Sequence, residues 1–163
     1  MKYLFILVVF CSCYNTYYVV RHAEKVLTPP NASDPVLTDR GVQRSNDLNA
    51  YFGKKKPDSI FVSTFLRTQQ TAAPTATAAG VTPIIINQID TNAVNALVRR
   101  LYKMNKKKVL VVGHTNTVPR IVKGLSGQTI NAIPETDYDN LYIIKIRKTN
   151  RQLTQTTYGA VSP

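Results

Sequence analysis

The chain has 163 residues, 44% of them hydrophobic, and carries 21 Lys and Arg against 9 Asp and Glu for a formal net charge of +12. That length holds one domain with a core of its own, since single domains run to about 100–150 residues, and it leaves no room for a second full one. Charged residues are only 18% of the total, which excludes the high-charge, low-hydrophobicity pattern of a disordered chain. What remains is a folded protein whose positive field favours anionic partners: nucleic acid, anionic lipid or a phosphorylated small molecule.

The first residues differ from the rest. Met1–Lys2 gives a short positive start, Tyr3–Phe10 is an uninterrupted apolar run of eight, and Cys11-Ser12-Cys13 follows. Eight residues cannot span a bilayer, which takes about 20. A charged start, a short apolar stretch and a small-residue exit fit a compact signal peptide instead. Phe10-Cys11-Ser12-Cys13 resembles a relaxed bacterial lipoprotein signal, in which the cysteine after the cut is acylated; Cys11 is the departure from that pattern. The expectation is a leader over residues 1–12, an acylated Cys13, and a domain over residues 14–163 that is exported and anchored in the cell envelope on its periplasmic or surface side. The competing reading makes Leu4–Phe10 an early core strand. No turn signal separates that run from the next apolar one at Tyr17–Val20, which weighs against it. With two cysteines in one C-x-C, neither a disulfide framework nor a zinc site is expected.

The remainder reads as short apolar strands alternating with helices. Tyr17–Val20 is a strand. Thr38–Phe52 is a helix with Leu37, Val42, Leu48 and Phe52 apolar and Thr38 or Asp39 as its cap. Ser59–Val62 is the second strand, and Leu66–Ala79 a second helix, bent at Pro74 and stopped at Gly80. Pro83–Ile86 is a third strand, Ala93–Met104 an amphipathic helix, Val109–Val112 a fourth strand, and Val118–Leu125 a short helix ended by Gly124–Gly127. Leu141–Ile146 and Leu153–Tyr158 read as a closing hairpin. Continuously apolar strands between helices predict an α/β fold, a three-layer α/β/α sandwich around a mainly parallel sheet with an antiparallel carboxyl-terminal edge.

In such a sheet, ligands collect beyond the carboxyl ends of the strands. Arg21-His22-Ala23-Glu24-Lys25 follows the first strand, Ser63 through Arg67-Thr68 the second, and Gly113-His114 the fourth. The chain has only two histidines, and both fall at a strand end. Either one alone is as readily a structural residue. Together with two strand-end arginines they form a site for a dianion, because guanidinium forks bind phosphate oxygens bidentately. A neutral imidazole among those cations can attack phosphorus while they stabilise the equatorial oxygens. The same set makes a poor metal site, and no metal or other cofactor is expected.

These residues resemble the signatures of the histidine phosphatase superfamily (phosphoglycerate-mutase-like, branch 1), with Arg-His-Ala where Arg-His-Gly is usual. Leu37-Thr38-x-x-Gly41, Ser63-x-x-x-Arg67-Thr68-x-x-Thr71-Ala72 and Val111-Val112-Gly113-His114 match the motifs that follow, in order, across residues 17–125. The resemblance implies a phosphoglycerate-mutase-like fold, His22 as the nucleophile that becomes phosphohistidine, and a phosphate pocket of Arg21, Arg67 and His114. His22 must then present an unprotonated nitrogen, its other N–H held by an acceptor, while His114 is protonated, or at least donating, toward the phosphate. For the acid that protonates the leaving group, Asp90 is the first candidate and Glu24 the second; Asp90 also reads as a plain helix cap.

The expected activity is metal-independent hydrolysis of a phosphomonoester, because the short interval between Arg67 and His114 lacks the closing segments of a mutase. Short phosphohistidine-protein phosphatases and heptose phosphatases are the compact members it looks most like. The alternatives are a non-catalytic phospho-ligand-binding module and a phosphoglycerate-mutase-type phosphotransferase. The expected partner is an anionic phosphorylated small molecule. No nucleic acid is expected, since Lys54-Lys55-Lys56 and Lys106-Lys107-Lys108 lack interleaved aromatics and read as solvated loop charge, with anionic lipid as a second possibility.

Overall fold

The computed structural model describes residues 14–27, 33–87 and 90–162. The expected leader, Cys11 and Cys13 lie outside them. In chain order the elements are β1 (Asn15–Arg21), α1 (Asp39–Phe52), β2 (Ser59–Ser63), α2 (Leu66–Ala79), β3 (Ile84–Ile86), α3 (Thr91–Tyr102), β4 (Lys108–Gly113), α4 (Val118–Ser126), β5 (Asn140–Arg147) and β6 (Asn150–Thr157). One six-stranded sheet runs β3-β2-β4-β1-β5-β6. β1 to β4 are parallel, and the β5–β6 hairpin closes the edge with β5 antiparallel to β1.

The central strands β1, β2 and β4 are covered on both faces, which explains why they carry no polar alternation, whereas the edge strand β6 is largely exposed and polar. Tyr17, Val19, Val109 and Val111 pack with Val94, Leu97, Val98 and Leu101 of α3 and with Ile121, Val122 and Leu125 of α4. The alternate residues Val20, Leu110 and Val112 pack with Leu48 and Phe52 of α1 and with Ala72 and Ala76 of α2. The period of 2 along each strand thus divides one apolar run between two cores. Glycine at φ 66° ends α2 at Gly80, as its freedom in the left-handed region allows.

Three local expectations are corrected. Pro83 precedes β3 instead of opening it, consistent with its missing N–H. α3 begins at Thr91 and ends at Tyr102, earlier at both ends than its apolar stripe suggests, because Asp90 caps it: the Asp90 Oδ1 accepts the Ala93 N–H at 2.8 Å. The buried face of α1 is Gly41, Arg44, Ser45, Leu48 and Phe52, and Val42 stands in solvent. A buried arginine occupies the stripe position that hydropathy alone would give to an aliphatic residue.

Gly41 is where α1 meets the loop after β1. A methyl group there would overlap the Glu24 carbonyl oxygen. Thr38, the N-cap, donates its backbone N–H to that same carbonyl at 2.9 Å, and its Oγ1 accepts the Gly41 N–H at 3.1 Å. The Leu-Thr-x-x-Gly motif therefore seats a helix end directly on the backbone of residue 24. Gly41→Ala should destabilise the fold by about 1–3 kcal/mol in urea unfolding, the overpacking outweighing the gain in helix propensity of up to about 1 kcal/mol. A stability equal to or above that of the parent would contradict this close approach.

Candidate active site

β1 ends at Arg21 and feeds His22 into a loop pinned on three sides. The His22 N–H donates to Gly113 O at 2.9 Å, the Ala23 N–H to Thr71 Oγ1 at 2.9 Å, and Thr38 binds Glu24 O. Thr71 in turn donates to Arg67 O at 2.6 Å, which explains a fully buried hydroxyl in α2. His22 is 3% exposed, and its Nδ1 lies 2.8 Å from the Ala23 carbonyl oxygen. A carbonyl only accepts, so Nδ1 carries the proton and Nε2 keeps its lone pair. Burial drives the His22 pKa down to about 3; the Ala23 bond opposes the fall, and Arg21, His114 and Arg67 add to it.

His114 follows β4, its ring centroid 5.4 Å from that of His22. Its Nε2 lies 2.9 Å from Ser63 Oγ, which lies 2.9 Å from Thr68 Oγ1. Thr68 donates to Phe65 O at 2.9 Å, so the run of hydroxyls is satisfied when Ser63 donates to Thr68 and His114 Nε2–H donates to Ser63. His114 is therefore a donor without being charged. Burial, then Arg67, Arg21 and Lys25, lower its pKa to about 4, so of the two expected forms the uncharged donor is the one at pH 7, and its N–H is on Ser63.

Arg67, at the start of α2, stacks on Phe65 with its guanidinium carbon 4.2 Å from the ring centroid, and Asp34 Oδ1 lies 3.7 Å from its NH1. Arg21 is 2% exposed and reaches to the loop before β5. Its NH1 donates to Pro134 O, Glu135 O and Asp137 O at 2.8, 2.9 and 3.0 Å, and its NH2 pairs with Glu135 Oε2 at 2.6 Å. Arg21 thus holds the 134–137 loop, which brings Glu135 to the cleft, and lies close enough to His22 to lower its pKa. Among the described residues, Arg21 Nε and Arg67 Nε are buried donors with no acceptor. His22, Lys25, Arg67, His114, Thr115, Asn116 and Glu135 line one open cleft.

Of the residues nominated from the sequence, His22, Arg21, Arg67 and His114 come together, and the two candidate acids do not join them. The Asp90 carboxylate caps α3. Glu24 turns to Arg44, accepting from its Nε and NH2 at 2.8–3.0 Å, and to Arg40 Nε at 3.2 Å. Burial would raise the Glu24 pKa, but the Arg44 hydrogen bonds and the charges of Arg44 and Arg40 hold it below the usual range. Both carboxylates are committed to structure. The carboxylate at the cleft is Glu135, whose side chain is 74% exposed. A search beyond the ends of the parallel strands does not reach it. β5 runs antiparallel to β1, so its beginning lies at the site end of the sheet, and the useful signal is the Pro134-Glu135-Thr136-Asp137 segment before a final hairpin. Among the described residues, no three His, Cys, Asp or Glu gather as a metal would require.

Residues 17–90 match the model of the histidine phosphatase superfamily (branch 1). No curated protein sequence matches the chain. Among solved structures, the protein histidine phosphatase SixA in complex with tungstate is 21% identical, with a TM-score of 0.69 over 87% of this chain and 96% of that one. A phosphoserine phosphatase variant from Entamoeba histolytica with phosphoserine is 14% identical (TM-score 0.63; 88% and 96%), and a mycobacterial glucosyl-3-phosphoglycerate phosphatase is 10% identical (TM-score 0.67; 90% and 99%). At these identities the structural likeness is one of fold. The motif match and the shared fold agree: residues 17–90 are similar to branch 1 of the histidine phosphatase superfamily, and the chain shares the fold of the phosphatases just named.

Proposed function

We propose that the chain is a metal-independent phosphatase that hydrolyses a phosphomonoester through a phosphohistidine on His22. The observation that carries this reading is the His22 tautomer, which leaves Nε2 unprotonated at neutral pH beside Arg67 and His114. The unpaired Nε–H donors of Arg21 and Arg67 suit the oxygens of a phosphate. In the first step the Nε2 lone pair attacks phosphorus while the bond to the leaving oxygen breaks. The two guanidiniums stabilise charge on the equatorial oxygens, and His114 joins them by turning its Nε2–H from Ser63 Oγ to one of those oxygens. In the second step water attacks the phosphohistidine phosphorus, freeing phosphate and returning the electron pair to Nε2.

An alkoxide leaves slowly without a proton. Glu135 is the carboxyl group placed to supply one. Its carboxylate pairs with Arg21 NH2, a contact that a bound phosphate would contest. With that pairing displaced, the exposed Glu135 carboxyl would take a proton from solvent and pass it to the leaving oxygen. Among the described residues, the interval between Arg67 and His114 holds α2, β3, α3 and β4 joined by short connections, which favours water over a second acceptor. The structural neighbours are named for different phosphorylated substrates, so their shared fold leaves the leaving group open. For the exported, envelope-anchored protein the sequence suggests, a soluble phosphoester outside the cytoplasm is the favoured substrate class.

The test is hydrolysis of p-nitrophenyl phosphate and of an alkyl phosphate, with a chelator present. His22→Ala should fall to background on both. Glu135→Gln should lose about 10²–10⁴-fold in kcat on the alkyl ester and far less on the nitrophenyl ester, whose leaving group needs no proton. Equal losses on the two esters would remove Glu135 as the acid, and saturable phosphate binding without turnover of either ester would make the chain a binding module.

The two imidazoles also set a pH dependence. Their folded pKa values of about 3 and about 4 lie below the unfolded value near 6.5. Between those limits the unfolded chain binds protons that the folded one does not, so stability rises with pH up to about 6.5 and levels above it. Urea unfolding at several pH values should show this slope, and His114→Gln should reduce it. An unchanged slope in that variant would contradict the buried neutral His114.

A further inference from the structure

The +12 charge is not spread over the molecule. β2, β4 and β1 begin at one end of the sheet, the antiparallel β5 finishes there, and β6 starts there. Lys54–Lys56 precede β2, Lys106–Lys108 lead into β4, Lys145 and Arg147 end β5, and Lys148 and Arg151 flank the turn into β6. Hydrogen bonds tie these segments side by side: Asp58 N–H to Lys108 O at 2.7 Å, Thr16 N–H to Lys107 O at 2.8 Å, and Lys107 N–H to Asn15 Oδ1 at 3.1 Å. With strands about 4.8 Å apart, the five form a row about 20 Å long. Ten of the chain's 21 Lys and Arg lie in that row. The one acid among them, Asp58, accepts the Lys108 N–H at 2.7 Å. At the opposite end, Arg21, Arg40, Arg44 and Arg67 are all paired with Glu24, Asp34 or Glu135.

Two details show that this charge is kept at some cost. Lys106 and Lys148 occupy left-handed backbone positions, φ 52° and 54°, where Gly or Asn would be less strained. Apart from Lys56 and Lys108, the row's basic residues are exposed.

We propose that this end of the sheet is a docking face for an anionic lipid surface. β1 lies inside the row, between β4 and β5, so the chain enters the domain there. The sequence just ahead of it holds the apolar run Tyr3–Phe10 and Cys13. A short apolar segment or a single acyl chain binds a bilayer only marginally, and stable attachment takes a second signal such as a polybasic patch. Here the two signals adjoin. A reader of single-stranded nucleic acid would interleave aromatics as stacking platforms, and neither lysine run contains one. Docking through this face turns the His22 cleft, at the other end of the strands, toward water. The face does not depend on the reading of the cleft as a phosphatase.

Partition of the full chain onto vesicles of phosphatidylcholine with and without phosphatidylglycerol tests the proposal. The parent should prefer the anionic vesicles and lose that preference as salt rises. The fourfold variant Lys54→Gln, Lys55→Gln, Lys107→Gln and Arg147→Gln should bind them at least about tenfold more weakly. Binding to pure phosphatidylcholine and turnover of p-nitrophenyl phosphate, where the parent has it, should be unchanged, and an unchanged thermal melt shows the variant folded. Equal binding of parent and variant, or a parent indifferent to phosphatidylglycerol, would overturn the proposal. So would tighter binding to an oligonucleotide than to the anionic vesicles at the same salt, which would assign the face to nucleic acid.

Discussion

The hydrogen bond from His22 Nδ1 to the Ala23 carbonyl, 2.8 Å long, is the contact on which the proposed chemistry depends. It decides which ring nitrogen carries a proton and leaves the other free to react. The bond is short-range, yet it needs the backbone of residues 22–24 held still. Gly41 lets α1 approach that backbone, Thr38 and Thr71 bind it, and Gly113 O receives the His22 N–H. Three separate elements, α1 with its cap, α2 and β4, thus converge to orient one imidazole. Burial among cations then keeps that imidazole neutral, the condition for the proposed nucleophile.

The same arrangement explains the conversion of positive charge into specificity. Arg67 and Arg21 are each partly satisfied, by Phe65 and Asp34 in one case and by loop 134–137 in the other. Each nonetheless keeps a buried Nε–H without an acceptor. A buried donor left unpaired carries a free-energy cost that a bound oxyanion can relieve. Ten of the other basic residues lie at the far end of the sheet, so the molecule has two electropositive regions of different kinds: an open cleft and a broad exposed row.

Much of this was legible in the residues because parallel strands announce themselves. Their apolar runs are continuous, and the functional side chains follow directly after them, as Arg21-His22 and Gly113-His114 do. The features that escaped are of another sort. Arg44 is buried only because Glu24 and the carbonyls of Tyr158 and Ala160 surround it, partners 20 to 116 residues away in sequence. Asp90 and Glu24 sit near motifs, yet a helix end and an arginine engage them. Glu135 precedes an antiparallel strand, where strand-end reasoning developed for parallel sheets points to the wrong terminus. Local pattern reveals which residues an element exposes; pairing direction and long-range ion pairs decide which of them meet.

The most direct test of the account is to trap the intermediate. After brief reaction with a phosphomonoester and an alkaline quench, digestion and mass spectrometry should find one added phosphoryl group on the peptide containing His22. That group should be stable in alkali and lost in acid. Label on another residue, or turnover with no phosphorylated protein at any time, would contradict the assignment of His22 as nucleophile.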